Sequence, residues 1–153
     1  MPTTEKRPGY LLTVLTGKCP RCREGHIYQE KSPYKLKSVV KMKEKCPVCG
    51  QPTEIEVGFY YGTGYVSYGL SVAVCVVSLI GWWLLIGLSL EDNRFFWWLG
   101  FNAVLLIGLQ PPLMRLSRTL WLSWFVPYDP QWRMHQLDDN HRDRIVPGQM
   151  GNW

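Results

Sequence analysis

Four of the five cysteines fall into two pairs whose spacing carries chemistry: Cys19-Pro20-Arg21-Cys22 and Cys46-Pro47-Val48-Cys49. A Cys-x-x-Cys turn lets two thiolates reach one ion from the same side, while backbone amides inside the turn offset their negative charge. Two such turns, separated by 23 residues, supply closed tetrahedral coordination, which in a structural site means zinc. Lys18, Arg21, Arg23 and Lys45 flank the pairs and favour the thiolate form. Cys19, Cys22, Cys46 and Cys49 are therefore the expected metal ligands, and Zn2+ the expected ion. Unligated thiols are the bland alternative.

Iron is the rival metal. Cys46-Pro47-Val48-Cys49-Gly50 resembles a rubredoxin knuckle, which would carry single electrons. Arg23 after Cys22, where a glycine would be expected, and the basic surroundings count against it. A redox-active Cys-x-x-Cys of the thiol-oxidoreductase kind would need a thioredoxin-like βαβ context that the chain lacks. His26, His135 and His141 are scattered. His26 is within reach of substituting as a ligand, but four cysteines suffice. Asp138, Asp139, His141 and Asp143 read as the solvated face of a tail. No catalytic residue, no organic cofactor and no enzyme activity is expected.

The elements that hold these residues are read from charge. The 153 residues carry 17 Lys+Arg against 12 Asp+Glu. Residues 1–45 hold 11 of those bases and only Glu5, Glu24, Glu30 and Glu44 as acids. By contrast, Val57–Leu90 and Phe95–Met114 contain no charged residue. Two such runs, with eight Trp and eight Tyr to populate the interfaces, point to two membrane spans. The first is placed at 65–90, tilted to fit its length. Glu91-Asp92-Asn93-Arg94 is a polar turn, and the second span follows at 95–112. Trp82, Trp83, Trp97 and Trp98 would form one aromatic belt on the turn side. Pro111-Pro112 should end or kink the second span. Residues 113–126 would then be an interfacial amphipathic helix or a bent continuation, with Arg115, Arg118 and Thr119 away from its apolar face. Cys75 is a small apolar residue inside the first span, and the spans hold no acid or base for ion transport.

Ahead of the spans, residues 1–16 form an N-terminal segment whose apolar stretch Tyr10–Leu15 is too short for a signal peptide. Residues 17–56 form a zinc-ribbon-like module, too rich in lysine to fold on apolar burial alone and therefore in need of a metal staple. Between the knuckles, Ser32-Pro33 is read as the start of a short helix, with a strand over 34–42 as the alternative. Residues 57–64 form an aromatic and glycine-rich collar; its Gly58-x-x-x-Gly62 pattern is read as flexible rather than as a packing motif. Residues 127–153 form a polar tail. The positive-inside rule puts both termini in the cytoplasm, a reducing compartment in which thiols bind metal rather than pair. The lysines of 31–45 are read as serving topology and solvation in preference to binding nucleic acid or anionic lipid.

Gly17-Lys18-Cys19-Pro20-Arg21-Cys22-Arg23-Glu24-Gly25, the second knuckle Cys46-Pro47-Val48-Cys49-Gly50-Gln51, and the entry Gly58-Phe59-Tyr60-Tyr61-Gly62 with Tyr65-Val66-Ser67-Tyr68 resemble the bacterial domain-of-unknown-function (DUF) 983 family over residues 10–126. The resemblance implies a small two-span membrane protein with paired cysteines and no established activity. The fold expected is thus membrane α: a two-helix transmembrane hairpin with an N-terminal cytoplasmic zinc-ribbon-like module and a C-terminal interfacial helix. The function expected is that of a multi-pass protein of the bacterial inner membrane. Embedded in the lipid bilayer, it would serve as a zinc-ribbon adaptor or an assembly or regulatory factor, meeting an unidentified protein at the cytoplasmic face. A membrane-tethered rubredoxin-like carrier and a nucleic-acid-binding ribbon are the alternatives.

Overall fold

The computed structural model describes residues 9–87, 92–135 and 137. The described elements are helical. Helix α1 spans Tyr10–Leu15, α2 spans Thr63–Leu85 and α3 spans Arg94–Phe125, with 3₁₀ turns at Leu36–Ser38 and Phe59–Gly62. Glu91 of the expected polar turn, and the tail residues Asp138, Asp139, His141 and Asp143, lie outside the described residues.

α2 and α3 form an antiparallel pair, and both are long and apolar enough to cross a membrane. None of the most apolar 18-residue window of the first is buried, and 17 % of that of the second; the core helix of a soluble domain would be largely covered. What the helices bury against each other is polar. Asn102 is buried, accepts a hydrogen bond from the Ser78 hydroxyl at 2.8 Å, and donates to the Cys75 sulfur at 3.3 Å. The Trp98 indole donates to Ser78 at 3.3 Å. Buried polar groups of this kind are satisfied by hydrogen bonds to one another across the helix pair. Cys75 is therefore a partner in this network and not merely a filler. Of the expected Trp belt, Trp83 and Trp97 are exposed, whereas Trp98 turns inward.

Two expectations are corrected here. First, α3 does not stop at Pro111-Pro112: it runs through both prolines as one helix of 32 residues, about 48 Å long. Of the two readings for 113–126, the one that forms is a continuation of α3, not a separate interfacial helix. Each proline removes one intrahelical bond, so the carbonyls of Ile107 and Gly108 lose their amide partners. The helix persists because the turns beyond are held from outside, with Pro111, Leu113, Arg115, Thr119 and Leu122 buried. Second, no helix starts at Ser32-Pro33. Only the three-residue turn Leu36–Ser38 forms, while Tyr28 and Met42 pair as an isolated bridge, backed by Lys43 N–H to the Ile27 carbonyl and Gln29 N–H to the Lys41 carbonyl.

The collar is ordered. Gly58 takes φ +76°, and a Cβ on Gly62 would overlap the Trp121 ring. The Trp121 indole donates to the Phe59 carbonyl at 2.8 Å. The glycine spacing thus serves close packing of α3 on the entry to α2. α1 lies on α3 on one side, with Tyr10 hydrogen bonded to Ser123 at 2.9 Å, and leaves Leu11, Leu12 and Leu15 exposed.

The core of the cysteine module is shared. Ile27, Tyr28 and Ile55 cluster with Cys19, Cys22 and Cys46, and with Leu122 and Val126 from the end of α3. Ile27 and Leu122 are fully buried. The module therefore extends beyond residues 17–56 and takes in the C-terminal turns of α3.

Candidate metal centre

Each knuckle folds by the same local rule. The Arg23 amide donates to the Cys19 carbonyl at 2.8 Å, and the Gly50 amide to the Cys46 carbonyl at 2.9 Å. Both turns then need a left-handed residue after the second cysteine. Gly50 supplies it at φ +71°, and Arg23 supplies it at φ +60°, a region that disfavours a side chain. The Arg23 guanidinium lies 3.9 Å from the centroid of the Tyr128 ring, a cation–π contact that helps hold the conformation. Arg23 is thus no departure from a paired-knuckle fold, and it does not separate zinc from iron. Both turns close alike, through Cys19 N–H to the Gly25 carbonyl and Cys46 N–H to the Gln51 carbonyl, each at 2.8 Å.

The result brings all four sulfurs within 4.8 Å of one another. Cys19 and Cys49 are 3.7 Å apart, and Cys22 and Cys46 3.8 Å. These separations far exceed the ~2.05 Å of a disulfide. They match the ~3.8 Å edge of a tetrahedron whose centre lies ~2.3 Å from each thiolate. Cys19, Cys22 and Cys46 are buried and Cys49 half-buried. Gly25 completes the cradle, because a Cβ there would overlap the Cys46 sulfur.

The electrostatics of the set favour a central cation. The Cys19 thiol donates to Cys22, which lifts Cys19 far above the ordinary thiol range and draws Cys22 far below it. Cys46 is drawn down to about 6, first by the hydrogen bond from Cys19. Amides of Cys22, Gly25, Cys49 and Gln51 each point at a sulfur. Thiolates held this way bind a divalent ion, with release of the protons they otherwise share. The donor set therefore fits a four-thiolate metal ion, with Cys19, Cys22, Cys46 and Cys49 as its ligands. His26 is exposed and stands outside this group.

Two features around the centre escaped the sequence. The first is Arg115, buried at 9 % exposure. Its Nε donates to the Val39 carbonyl at 2.8 Å. One terminal nitrogen donates to Glu30 and Lys31 carbonyls at 2.9 and 3.1 Å, and the other to that of Ser32 at 2.8 Å. Arg118 adds a bond to the Val40 carbonyl at 3.0 Å. The face of α3 expected to be solvated instead grips the loop between the knuckles. Tyr28 seals the joint, donating to the Arg115 carbonyl at 2.7 Å, and burial pushes its phenol up to about 12.

The second is a strap formed by the chain after α3. The Asp129 amide donates to the Arg21 carbonyl at 3.2 Å. The Arg21 guanidinium reaches the His135 carbonyl at 3.0 Å and the Asp129 carboxylate at 3.4 Å. Trp132 packs on the shared core. The first part of the expected polar tail is thus a structural cover over the first knuckle.

Comparisons with protein-family models, with curated proteins and with solved structures find no match to this chain.

Proposed function

We propose that this protein is a two-span protein of the bacterial inner membrane, of the DUF983 type, which presents a zinc-bound ribbon to a protein partner at the cytoplasmic face without catalysing a reaction. The observation that carries the reading is the fusion of the four-sulfur centre with the end of α3 through Leu122 and Val126. A metal bound there fixes a small rigid surface directly onto the two long helices. Four sulfurs around one point leave no open coordination position, the arrangement of structural rather than catalytic zinc. The uncharged runs and the excess of Lys and Arg before the first span support insertion with both ends inside.

The test is a pull-down of the full chain from mild detergent against Cys46→Ser, with metal content measured on both. Loss of a partner together with zinc supports the adaptor reading. Recovery of the same partners by both proteins would exclude the ribbon as the recognition surface.

A second reading, a tethered rubredoxin-like electron carrier, draws on the matched left-handed turns at Arg23 and Gly50 and on the partial exposure of Cys49. Purified protein with iron and a visible thiolate-to-iron band supports it; colourless protein with one zinc per chain removes it.

A further inference from the structure

The loop gripped by Arg115 does not close fully onto α3. Between them runs a groove of about 480 Å³, with Leu36 and Val39 on one wall and Leu106, Ile107, Pro111 and Met114 on the other. Its volume lies within the ~300–1,000 Å³ range of ligand pockets, and its walls are almost wholly apolar, with Gln110 the one polar side chain. From Met114 to Leu106 it follows α3 for about 12 Å.

We propose that this groove binds an anionic phospholipid of the inner leaflet, one acyl chain lying along α3 and the phosphate among the lysines of the gripped loop. The proposal rests on the membrane reading above. The uncharged run Phe95–Met114 ends at Arg115, and twenty helical residues span the ~30 Å of a hydrocarbon core. The groove thus opens at the inner boundary and runs into the core. Leu36 of the groove wall stands 74 % exposed. The Arg115 bonds hold the loop's backbone there, so this side chain borders whatever fills the groove beside α3.

Charge complementarity selects the lipid. Lys31, Lys35, Lys37 and Lys41 are exposed on this loop, and Glu30 is the one acid among residues 25–43. Lys35 is paired with Glu30 at 2.7 Å, and Arg115 and Arg118 are committed to backbone carbonyls, which leaves Lys31, Lys37 and Lys41 to meet a phosphate. An apolar slot walled by a lysine-rich loop is complementary to an anionic headgroup carrying an acyl chain. A transmembrane helix from another protein, apolar along its length, would leave the cationic rim unmatched.

The probe is phosphatidylglycerol against phosphatidylcholine, offered in equimolar amounts to the zinc-loaded full chain in mild detergent and read by native mass spectrometry. The expected result is one retained phosphatidylglycerol, preferred several-fold. Ile107→Trp, which fills the groove, should abolish retention. The double variant Lys37→Gln/Lys41→Gln should lose the headgroup preference while still binding lipid. Unchanged zinc content and helicity guard against misfolding. Equal retention of the two lipids, undiminished retention by Ile107→Trp, or a lipid-free dimer would each overturn the proposal. Carbonate extraction separates the failures: release of the chain from membranes sinks the membrane reading, whereas an integral protein without lipid preference sinks only this inference.

Discussion

Single atoms decide the metal centre. A methyl group at Gly25 has nowhere to go but into the Cys46 sulfur. Gly25→Ala should therefore cost about 1–3 kcal/mol by overpacking and weaken metal binding at the four cysteines, measured by competition with a chromogenic chelator. Tyr28 makes a different kind of prediction. Its phenol is raised in the fold from 10.0 to about 12, so the unfolded chain releases this proton first. The stability it contributes is complete below pH 10 and is lost as pH rises from about 10 through 12, a swing on the order of 2–3 kcal/mol. Tyr28→Phe should flatten that alkaline slope in denaturation curves, at the cost of about 1 kcal/mol at neutral pH. The cysteines were legible because their chemistry is in their identity and spacing. Arg23 was misread for the opposite reason: the turn requires a backbone angle, and here a stacked guanidinium helps supply it where glycine was expected.

At the scale of elements, the two long helices were evident from uncharged runs, but their joints were not. Asn102 is one amide within an apolar stretch, and nothing in the sequence marks Ser78 and Cys75 as its partners across the pair. Asn102→Leu should destabilise the helix pair by about 0.6–1.7 kcal/mol, detectable as earlier unfolding in a detergent titration. Arg115 was hidden more deeply. The carbonyls it grips lie 76 to 85 residues upstream, and backbone acceptors have no sequence identity. An arginine just beyond an apolar run looks the same whether it marks topology or clamps a loop. Arg115→Met leaves several buried carbonyls without a donor, each costing about 1–3 kcal/mol. Residues 30–40 should then exchange amide hydrogens much faster than in the parent, while the α2–α3 contacts around Asn102 keep their protection. The helix continues past the double proline for a related reason: two lost hydrogen bonds are outweighed by side chains anchored on both sides.

For the whole molecule, the sequence suggested a ribbon, two spans and a tail joined in series. The structure interlocks them, because Leu122 and Val126 belong to the ribbon's core and the strap at Asp129–His135 closes on Arg21. Removal of the metal should therefore be felt at the far end of the chain. A metal chelator is expected to make the strap sensitive to protease and to change the fluorescence of Trp132, while far-ultraviolet circular dichroism falls only slightly. Loss of most helical signal on chelation would show that the two long helices depend on the ion.

The interlock also sets a timetable. A ribosome delivers Cys19 and Cys49 long before Arg115 and Asp129, the residues that clamp the loop and tie down the first knuckle. The cysteines can capture an ion early, but the finished surface waits until both helices have been synthesised and brought together. A nascent chain stalled before α3 would expose a half-built ribbon, so maturation of this domain reports that the rest of the polypeptide has arrived.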